Sequence, residues 1–363
     1  MQQSARSGIF RGQKTLCIMP TFTCPAACSN CGTLSSPRER TNIELDIILD
    51  AIQQAKELDF ANVVFTGGEA TLRWNDLLQA IAYADSLGLP TRLVTNAHWA
   101  QSMERAEAKL ETLIAHGLKE INYSTGDEHA KFVPLERVVY ATVAAAKRGF
   151  RVHIMVELRK ERRVTRDDII SHPLITALTP AEFATLTVTE SPWMPLDPLL
   201  FEKYPPGIAT NQANLITRKG CESVLTTYTL QADGRIGACC GLGLRLIPEL
   251  NESCIRGEKF LSHAIKEAES DFLKLWIHYK GPDKILAWAA QKDPTIVWEN
   301  MYAHPCQACQ RIYKDPKVAK VIRTHYTEMM ADVFQSAWLE EEALPEMLTE
   351  EPSDEALELQ YER

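Results

Sequence analysis

The chain has 363 residues, of which 45% are hydrophobic, 24% charged and 8% aromatic, and this composition is ordinary for a folded globular protein. The formal net charge of −9 and the lack of a basic block argue against nucleic-acid binding by counterion release. No run approaches the roughly 18 apolar residues of a membrane span, and no signal peptide is evident, so we expect no membrane association and a cytoplasmic location.

Residues 1–190 alternate short strand-like runs with helical stretches. Six runs rich in Val, Ile, Leu and Thr predict strands that are buried on both faces. The predicted strands are Thr15 to Pro20, Asn62 to Thr66, Thr91 to Thr95, Glu120 to Ser124, Arg151 to Glu157 and Thr185 to Thr189. Between them, Ser102 and Thr165 stand where a helix cap is expected. Thr41 with Glu44 predicts a capping box ahead of the first helix.

Strands that are separated by helices predict right-handed crossovers and a parallel sheet. Six such units are too few for an eight-stranded barrel, so an open partial barrel or a doubly wound sheet remains. We therefore expect an α/β fold whose functional groups lie at the carboxyl ends of the strands.

The pattern changes after Pro192. A Pro-rich connection leads to Cys221, a hairpin-like stretch over 227–240, and several helices. We predict an N-terminal segment (1–14), an α/β core (15–192), a smaller cysteine-bearing α+β region (193–340) and an acidic tail (341–363).

Three of the ten cysteines, Cys24, Cys28 and Cys31, follow the first predicted strand with the spacing C-x3-C-x2-C. Thiols stay reduced in the cytosol, so this tight spacing indicates metal or redox chemistry rather than disulfides. Three thiolates can ligate three corners of a cubane iron–sulfur cluster and leave one iron open. A structural zinc site requires a fourth ligand, which the flanking residues do not offer.

This loop resembles that of the radical S-adenosylmethionine (SAM) superfamily, whose C-x3-C-x-Φ-C motif follows the first strand of a partial (β/α)6 barrel. Three more segments match the family in order, each at a predicted strand end, over roughly Thr15 to Glu190. The resemblance implies that the cofactor is bound by Gly67, Gly68 and Glu69 at the methionine amino group, by Thr95 and Asn96 next to them, and by Ser124 at the ribose. Asn30 stands where the family usually has an aromatic residue, and we expect its backbone to meet the adenine.

The cysteines after residue 192 resemble the motif of the SPASM and Twitch extensions of the same superfamily. This resemblance implies that the ligands of a second cluster are Cys221, Cys239, Cys306 and Cys309. No cysteine follows Cys309, so the shorter Twitch pattern with one auxiliary 4Fe–4S cluster fits better than a full SPASM domain. Cys240 and Cys254 are close enough in sequence to compete, but we expect both to be buried structural thiols. A four-cysteine zinc site is the alternative.

The resemblance implies a radical SAM enzyme with a 4Fe–4S cluster, SAM and a low-potential electron donor such as a flavodoxin-like or ferredoxin-like protein. Reductive cleavage of SAM would yield a 5′-deoxyadenosyl radical that abstracts a substrate hydrogen atom. Glu157 and Arg159, after the fifth predicted strand, are the predicted catalytic acid–base residues by position. Glu190 is a further candidate, and His129 is a predicted hydrogen-bonding neighbour. We expect the substrate to be a ribosomally made peptide that is oxidised or cross-linked.

Two other functions remain open. One is a dehydrogenase that oxidises a small alcohol or sugar, which the single-cluster pattern favours. The other is a non-enzymatic electron carrier or zinc-stapled binding protein, against which the Gly-Gly-Glu segment argues. We expect no separate amino-terminal leader-binding domain before the first strand, so peptide recognition would come from the core or from the helices after Pro282.

Overall fold

The structure, a computed structural model, describes residues 13–255 and 259–343. Within these ranges the strands form one sheet of nine. They are β1 (Thr15–Ile18), β2 (Asn62–Phe65), β3 (Thr91–Thr95), β4 (Glu120–Thr125), β5 (Arg151–Leu158), β6 (Leu186–Pro192), β7 (Thr227–Leu230), β8 (Arg235–Gly237) and β9 (Asn251–Cys254). Their order in the sheet is β6–β5–β4–β3–β2–β1–β7–β8–β9.

The α-helices fall into two groups along the chain. Those between β1 and β6 are α1 (Leu45–Glu57), α2 (Trp74–Ser86), α3 (Met103–Ala115), α4 (Asp127–Ala130), α5 (Leu135–Ala146), α6 (Arg166–Ile170), α7 (Pro173–Thr176) and α8 (Pro180–Phe183). Those after β9 are α9 (Phe260–Glu269), α10 (Phe272–Lys280), α11 (Pro282–Lys292), α12 (Pro305–Lys314), α13 (Pro316–His325) and α14 (Met330–Trp338).

Strands β1 to β6 are parallel and follow one another in sequence order across the sheet. Every crossover therefore moves one strand in the same direction, and a right-handed crossover then puts its helix on the same face each time. A doubly wound sheet reverses direction at a switch point, and this one does not. The predicted α/β fold with a partial (β/α)6 barrel is confirmed.

The helices cover the sheet through apolar residues at helical spacing. Ile48 and Ile52 on α1, and Leu77 and Ile81 on α2, are four residues apart and almost fully buried. They belong to the same core as β1 and β2, whose Leu16 has no exposed surface. This packing anchors the strand ends from which the cysteine loop and the Gly-Gly-Glu segment emerge.

The region after residue 192 continues the same sheet. β7 pairs in parallel with β1, with Thr15 opposite Thr227 and Ile18 opposite Leu230. β7 and β8 form the predicted hairpin, whose turn contains Gly234 at φ +81°. The boundary between the core and the cysteine-bearing region stays a prediction, but the pairing of β1 with β7 joins the two regions in one sheet.

Most predicted helix caps are present. Ser102 accepts a hydrogen bond from the Arg105 amide, and Thr165 forms a capping box with Asp168. The predicted capping box at Thr41 is wrong, because α1 begins only at Leu45 with no side-chain cap. The Thr41 carbonyl instead accepts from the Phe22 amide in the loop after β1.

Two predicted segments fall largely outside the described ranges. They are residues 1–12 of the N-terminal segment and residues 344–363 of the acidic tail. In the residues that are described, no helix is long and apolar enough to cross a membrane.

Candidate functional site

The Gly-Gly-Glu segment after β2 is pressed against the backbone that leads to the first cysteine. The amides of Gly68 and Glu69 donate to the carbonyls of Thr21 and Thr23, both at 2.9 Å. A Cβ atom on Gly68 would lie 2.2 Å from the Thr23 carbonyl oxygen. A glycine is therefore required here by close approach to the chain's own backbone, and the contact sets where Cys24 lies relative to Glu69.

The Glu69 carboxylate is 1% exposed and is held by residues of two strand ends. Oε1 accepts from the Thr71 amide (3.2 Å), the Thr71 hydroxyl (2.6 Å) and the Thr95 hydroxyl (2.8 Å). Oε2 accepts from the Asn96 amide at 3.0 Å. A carboxylate has about four lone-pair sites, two on each oxygen, so Oε1 is saturated while Oε2 can accept one further donor.

Asn96 connects this carboxylate to the cysteine loop. Its amide bonds Glu69, and its side-chain Nδ2 lies 3.5 Å from the Cys24 sulfur. The buried Trp99 supports the same turn, since its indole N–H donates to the Thr95 hydroxyl at 3.1 Å. The structure thus brings Glu69, Thr95, Asn96 and Cys24 together, as predicted from strand order.

The three cysteines of the first loop differ in exposure. Cys24 is buried, whereas Cys28 and Cys31 are half-buried. Burial raises the pKa of the Cys24 thiol and that of the Cys28 thiol to about 12. Metal binding at neutral pH would therefore have to release protons from these thiols.

The donors around these sulfurs fit thiolate ligands of a cluster. The Cys24 sulfur faces the Asn96 amide group, and the Cys31 sulfur accepts from the Ser35 amide at 3.5 Å. Hydrogen bonds to the sulfurs are one way in which proteins tune the reduction potential of iron–sulfur clusters. In the described ranges, no group of three His, Cys, Asp or Glu side chains is arranged to hold a metal ion, so the fit to a cluster rests on the donor chemistry and the loop position.

A second carboxylate, not singled out by the sequence, anchors the middle of the loop. Glu128 on α4 is 4% exposed and accepts from the Ser29 amide (3.2 Å) and hydroxyl (2.6 Å). Lys131 and Arg159 pair with its other oxygen at 2.7 and 3.3 Å. Burial alone would raise the pKa of Glu128, but the hydrogen bonds from Lys131 and Ser29 hold it below its usual value.

Glu157, one of the predicted catalytic residues, is 5% exposed and engaged by the start of α4. It accepts from the Glu128 amide (2.8 Å), the His129 amide (3.1 Å) and His129 Nδ1 (2.6 Å). Gly126, at φ +133°, allows this approach, because a Cβ there would lie 2.4 Å from the Glu157 Cβ. His129 is thus a hydrogen-bonding neighbour, in line with the prediction.

The other predicted residues around the loop lie in varied surroundings. The Asn30 side-chain oxygen accepts from the Leu196 amide at 3.2 Å, and the backbone of Asn30 has φ +58°. Ser124 is half-buried on β4. Glu190 pairs with Arg162 at 2.8 Å. A contact of Asn30 or Ser124 with a cofactor stays a prediction.

A cavity of about 460 Å³ opens next to Glu128. It is lined by Asp127, Glu128, Ala130, Lys131, Arg159, Arg163 and Val164. Its volume lies within the range of ligand pockets, about 300 to 1,000 Å³. Arg159 therefore lines the cavity. Glu157 is not part of the lining, and it bonds the amide of Glu128, which is.

The second cysteine set shares one pocket. Its lining includes all four predicted ligands, Cys221, Cys239, Cys306 and Cys309. A Cβ on Gly241 would lie 3.0 Å from the Cys306 sulfur and 3.9 Å from the Cys239 sulfur, so both sulfurs face this glycine.

The prediction that Cys240 and Cys254 are buried is wrong, since both are exposed. Cys239 and Cys240 lie two and three residues beyond Gly237, the last residue of β8, and Cys239 is buried whereas Cys240 is exposed. Cys254 ends β9, the edge strand of the sheet. Neither lines the pocket of the four predicted ligands.

Comparison with known proteins agrees with these motifs. Residues 18–171 match the family model described as the radical SAM superfamily. A curated relative, the putative peptide biosynthesis protein YydG of Bacillus subtilis (strain 168), is 23% identical over 162 residues, which are 44% of this chain and 49% of YydG. The match therefore spans about half the length of that relative.

Solved structures give weaker similarities. The anSMEcpe structure with bound AdoMet and a Cp18Cys peptide has a TM-score of 0.49 at 12% identity, covering 90% of this chain and 99% of that one. BtrN in complex with AdoMet and 2-DOIA has a TM-score of 0.44 at 11% identity, with coverages of 76% and 90%. SuiB of Streptococcus suis bound to S-adenosylmethionine has a TM-score of 0.43 at 16% identity, with coverages of 73% and 65%.

Proposed function

We propose that this chain is a peptide-modifying radical SAM enzyme, because residues 18–171 match the model of the radical SAM superfamily, a family that uses a 4Fe–4S cluster and SAM. Cys24, Cys28 and Cys31 would hold the cluster. When bound, the cluster and SAM supply a 5′-deoxyadenosyl radical by one-electron cleavage of the S–C5′ bond. The chain's own residues then have to bind SAM, orient the substrate and exclude side reactions.

The buried Glu69 carboxylate is the observation that carries the proposal. A fully buried carboxylate without a cationic partner is costly unless its oxygens are satisfied. Oε2 of Glu69 has room for one more donor and lies on the side of Asn96, which also contacts Cys24. An ammonium group beside a three-cysteine cluster would complete this site with a charge-assisted hydrogen bond. An electron carrier has no need of such a carboxylate.

Of the two predicted catalytic residues, Arg159 is the better candidate for touching substrate. It lines the cavity next to Glu128 and is held by Glu128 and Glu202. Glu157 already accepts three hydrogen bonds from α4. These contacts support a positioning role for Glu157, in which it holds Glu128, and thereby Ser29, in place.

The similarity to YydG supports a peptide as the substrate class. The test is hydrogen transfer from a candidate peptide, chosen as the product of a short open reading frame where one adjoins the gene for this chain. The peptide is made with deuterium on its carbon-bound positions and incubated anaerobically with SAM and a strong reductant. Deuterium in the 5′-deoxyadenosine that forms would support the proposal. If deuterium appears only with labelled alcohols or sugars, the peptide assignment is wrong while radical chemistry stands.

We also propose that the second cysteine set holds one auxiliary 4Fe–4S cluster, which would accept the electron left on the substrate radical. The common pocket of the four cysteines supports this. Zinc is the competing occupant, since four thiolates also suit tetrahedral zinc. The test is metal analysis of a variant in which Cys24, Cys28 and Cys31 are all alanine. Remaining iron–sulfur absorbance is expected, and one bound zinc without such absorbance would refute the auxiliary cluster.

A further inference from the structure

A short segment connects the two cysteine sets. Residues 239–245 leave the second pocket at Cys239 and end in a short 3-10 helix, Leu244–Leu246. Along the way Gly241 faces the Cys306 sulfur, and the Gly243 amide, at φ +78°, lies 3.4 Å from the Gly32 carbonyl in the first loop. The segment therefore touches both candidate cluster sites within seven residues.

Arg245, at the end of this segment, contacts the first loop at both of its ends. Its guanidinium donates to the carbonyls of Thr33 (2.8 Å) and Leu34 (3.0 Å), just after Cys31. Leu34 in turn closes a tight turn on Cys31, with its amide 2.9 Å from the Cys31 carbonyl. On the other side, the guanidinium carbon lies 3.5 Å from the centre of the buried Phe22 ring, two residues before Cys24.

The charge of Arg245 is poorly compensated. Within residues 13–255 and 259–343 no carboxylate lies within ion-pair distance of it, and its partners are two carbonyls and an aromatic ring. Burial lowers the pKa of the guanidinium, and Glu39, Asp233 and Cys31 oppose this from longer range. A half-buried cation in such surroundings favours additional negative charge nearby.

We propose that Arg245 is a positioning residue for the first cluster: it clamps both ends of the Cys24–Cys31 loop, and its positive charge favours one-electron reduction of that cluster. The inference rests on the proposed radical SAM function. Reduction adds one negative charge to the cluster, so a nearby uncompensated cation stabilises the reduced form. The same clamp makes the geometry of the first loop depend on the segment that begins at Cys239.

The test compares Arg245→Gln, Arg245→Lys and the matched control Arg235→Gln with the wild-type protein. Arg235 lies on β8 and has its own carboxylate partner, Asp233, at 2.8 Å. After anaerobic reconstitution of the full chain, iron content is measured. The midpoint potential is then followed by electron paramagnetic resonance, on the cluster whose signal changes when SAM is added.

We expect Arg245→Gln to lower the equilibrium constant for reduction of that cluster by roughly tenfold, which is about 59 mV for a one-electron couple. Arg245→Lys keeps the charge and should stay near the wild-type value, and so should Arg235→Gln. An unchanged potential in Arg245→Gln, or an equal shift in Arg235→Gln, would refute the role of Arg245 alone.

If the Arg245→Gln variant does not bind the cluster at Cys24, Cys28 and Cys31, its potential is not measurable. The Arg245→Lys variant then tests the proposal. A loaded lysine variant with the wild-type potential supports the proposal. A lysine variant that loads like the wild type but whose potential is lowered by about 59 mV overturns it, because the positive charge is then present without its predicted effect. A wild-type protein without any SAM-responsive cluster would refute the proposed function itself.

Discussion

Replacement of Glu69 by glutamine is the sharpest perturbation of the proposed SAM site. Oε1 accepts three hydrogen bonds and Oε2 accepts one, from the Asn96 amide. A side-chain amide that keeps its oxygen at the Oε1 position turns its NH2 group towards Asn96. The buried Asn96 donor then loses its acceptor, which costs about 1 to 3 kcal/mol of the free energy of unfolding.

The same change removes the acceptor proposed for the SAM amino group. A hydrogen bond to a charged group is worth about 1.5 to 3 kcal/mol, so SAM affinity should fall roughly 10- to 100-fold. Calorimetric titration of the reconstituted protein with SAM under anaerobic conditions gives the affinity, and urea unfolding gives the stability. Glu111→Gln, at an exposed position on α3, is the matched control and should change neither. Binding of SAM by Glu69→Gln within twofold of the wild type would refute the assignment of Glu69.

Three further changes test other parts of the structure. Gly68→Ala puts a Cβ 2.2 Å from the Thr23 carbonyl oxygen and should lower stability by about 1 to 3 kcal/mol in urea unfolding; an unchanged midpoint would contradict the close approach. Glu128→Ala leaves the Ser29 amide and hydroxyl without their acceptor, so the reconstituted protein should lose iron faster than the wild type. Burial raises the pKa of Asp283, so its stabilising contribution is complete below the unfolded value of about 3.9 and is lost as the pH rises through the folded pKa. Asp283→Asn should therefore gain stability relative to the wild type as the pH rises above about 4, and a pH-independent difference would be evidence against this.

The strands were predictable because buried parallel strands are short runs of Val, Ile, Leu and Thr between helix signals. Five of the first six begin at the predicted residue, and β6 begins one residue later. The placement of Glu69, Asn96 and Cys24 followed from strand order, since the carboxyl ends of parallel strands share one edge. The predicted capping box at Thr41 is wrong because the Thr41 carbonyl pairs with an amide of the loop after β1, that of Phe22.

The contacts that hold the cysteine loop were not predictable from local patterns. Ser29 and Glu128 are 99 positions apart, and Arg245 is 211 from Leu34. Neither pair has a periodic or motif signal, because each depends on how whole elements pack. The exposure of Cys240 was not predictable either. Sequence composition does not tell which of two adjacent cysteines faces the pocket beyond β8 and which faces away from it.

The central claim is that Cys24, Cys28 and Cys31 form the site at which SAM is cleaved, and one measurement tests it directly. The reconstituted wild-type protein is incubated anaerobically with SAM and dithionite, and 5′-deoxyadenosine is quantified by chromatography and mass spectrometry. The account predicts 5′-deoxyadenosine from the wild type and none from the variant with alanine at all three positions. A wild-type protein with an intact cluster that forms no 5′-deoxyadenosine, or a triple variant that forms as much as the wild type, would contradict it.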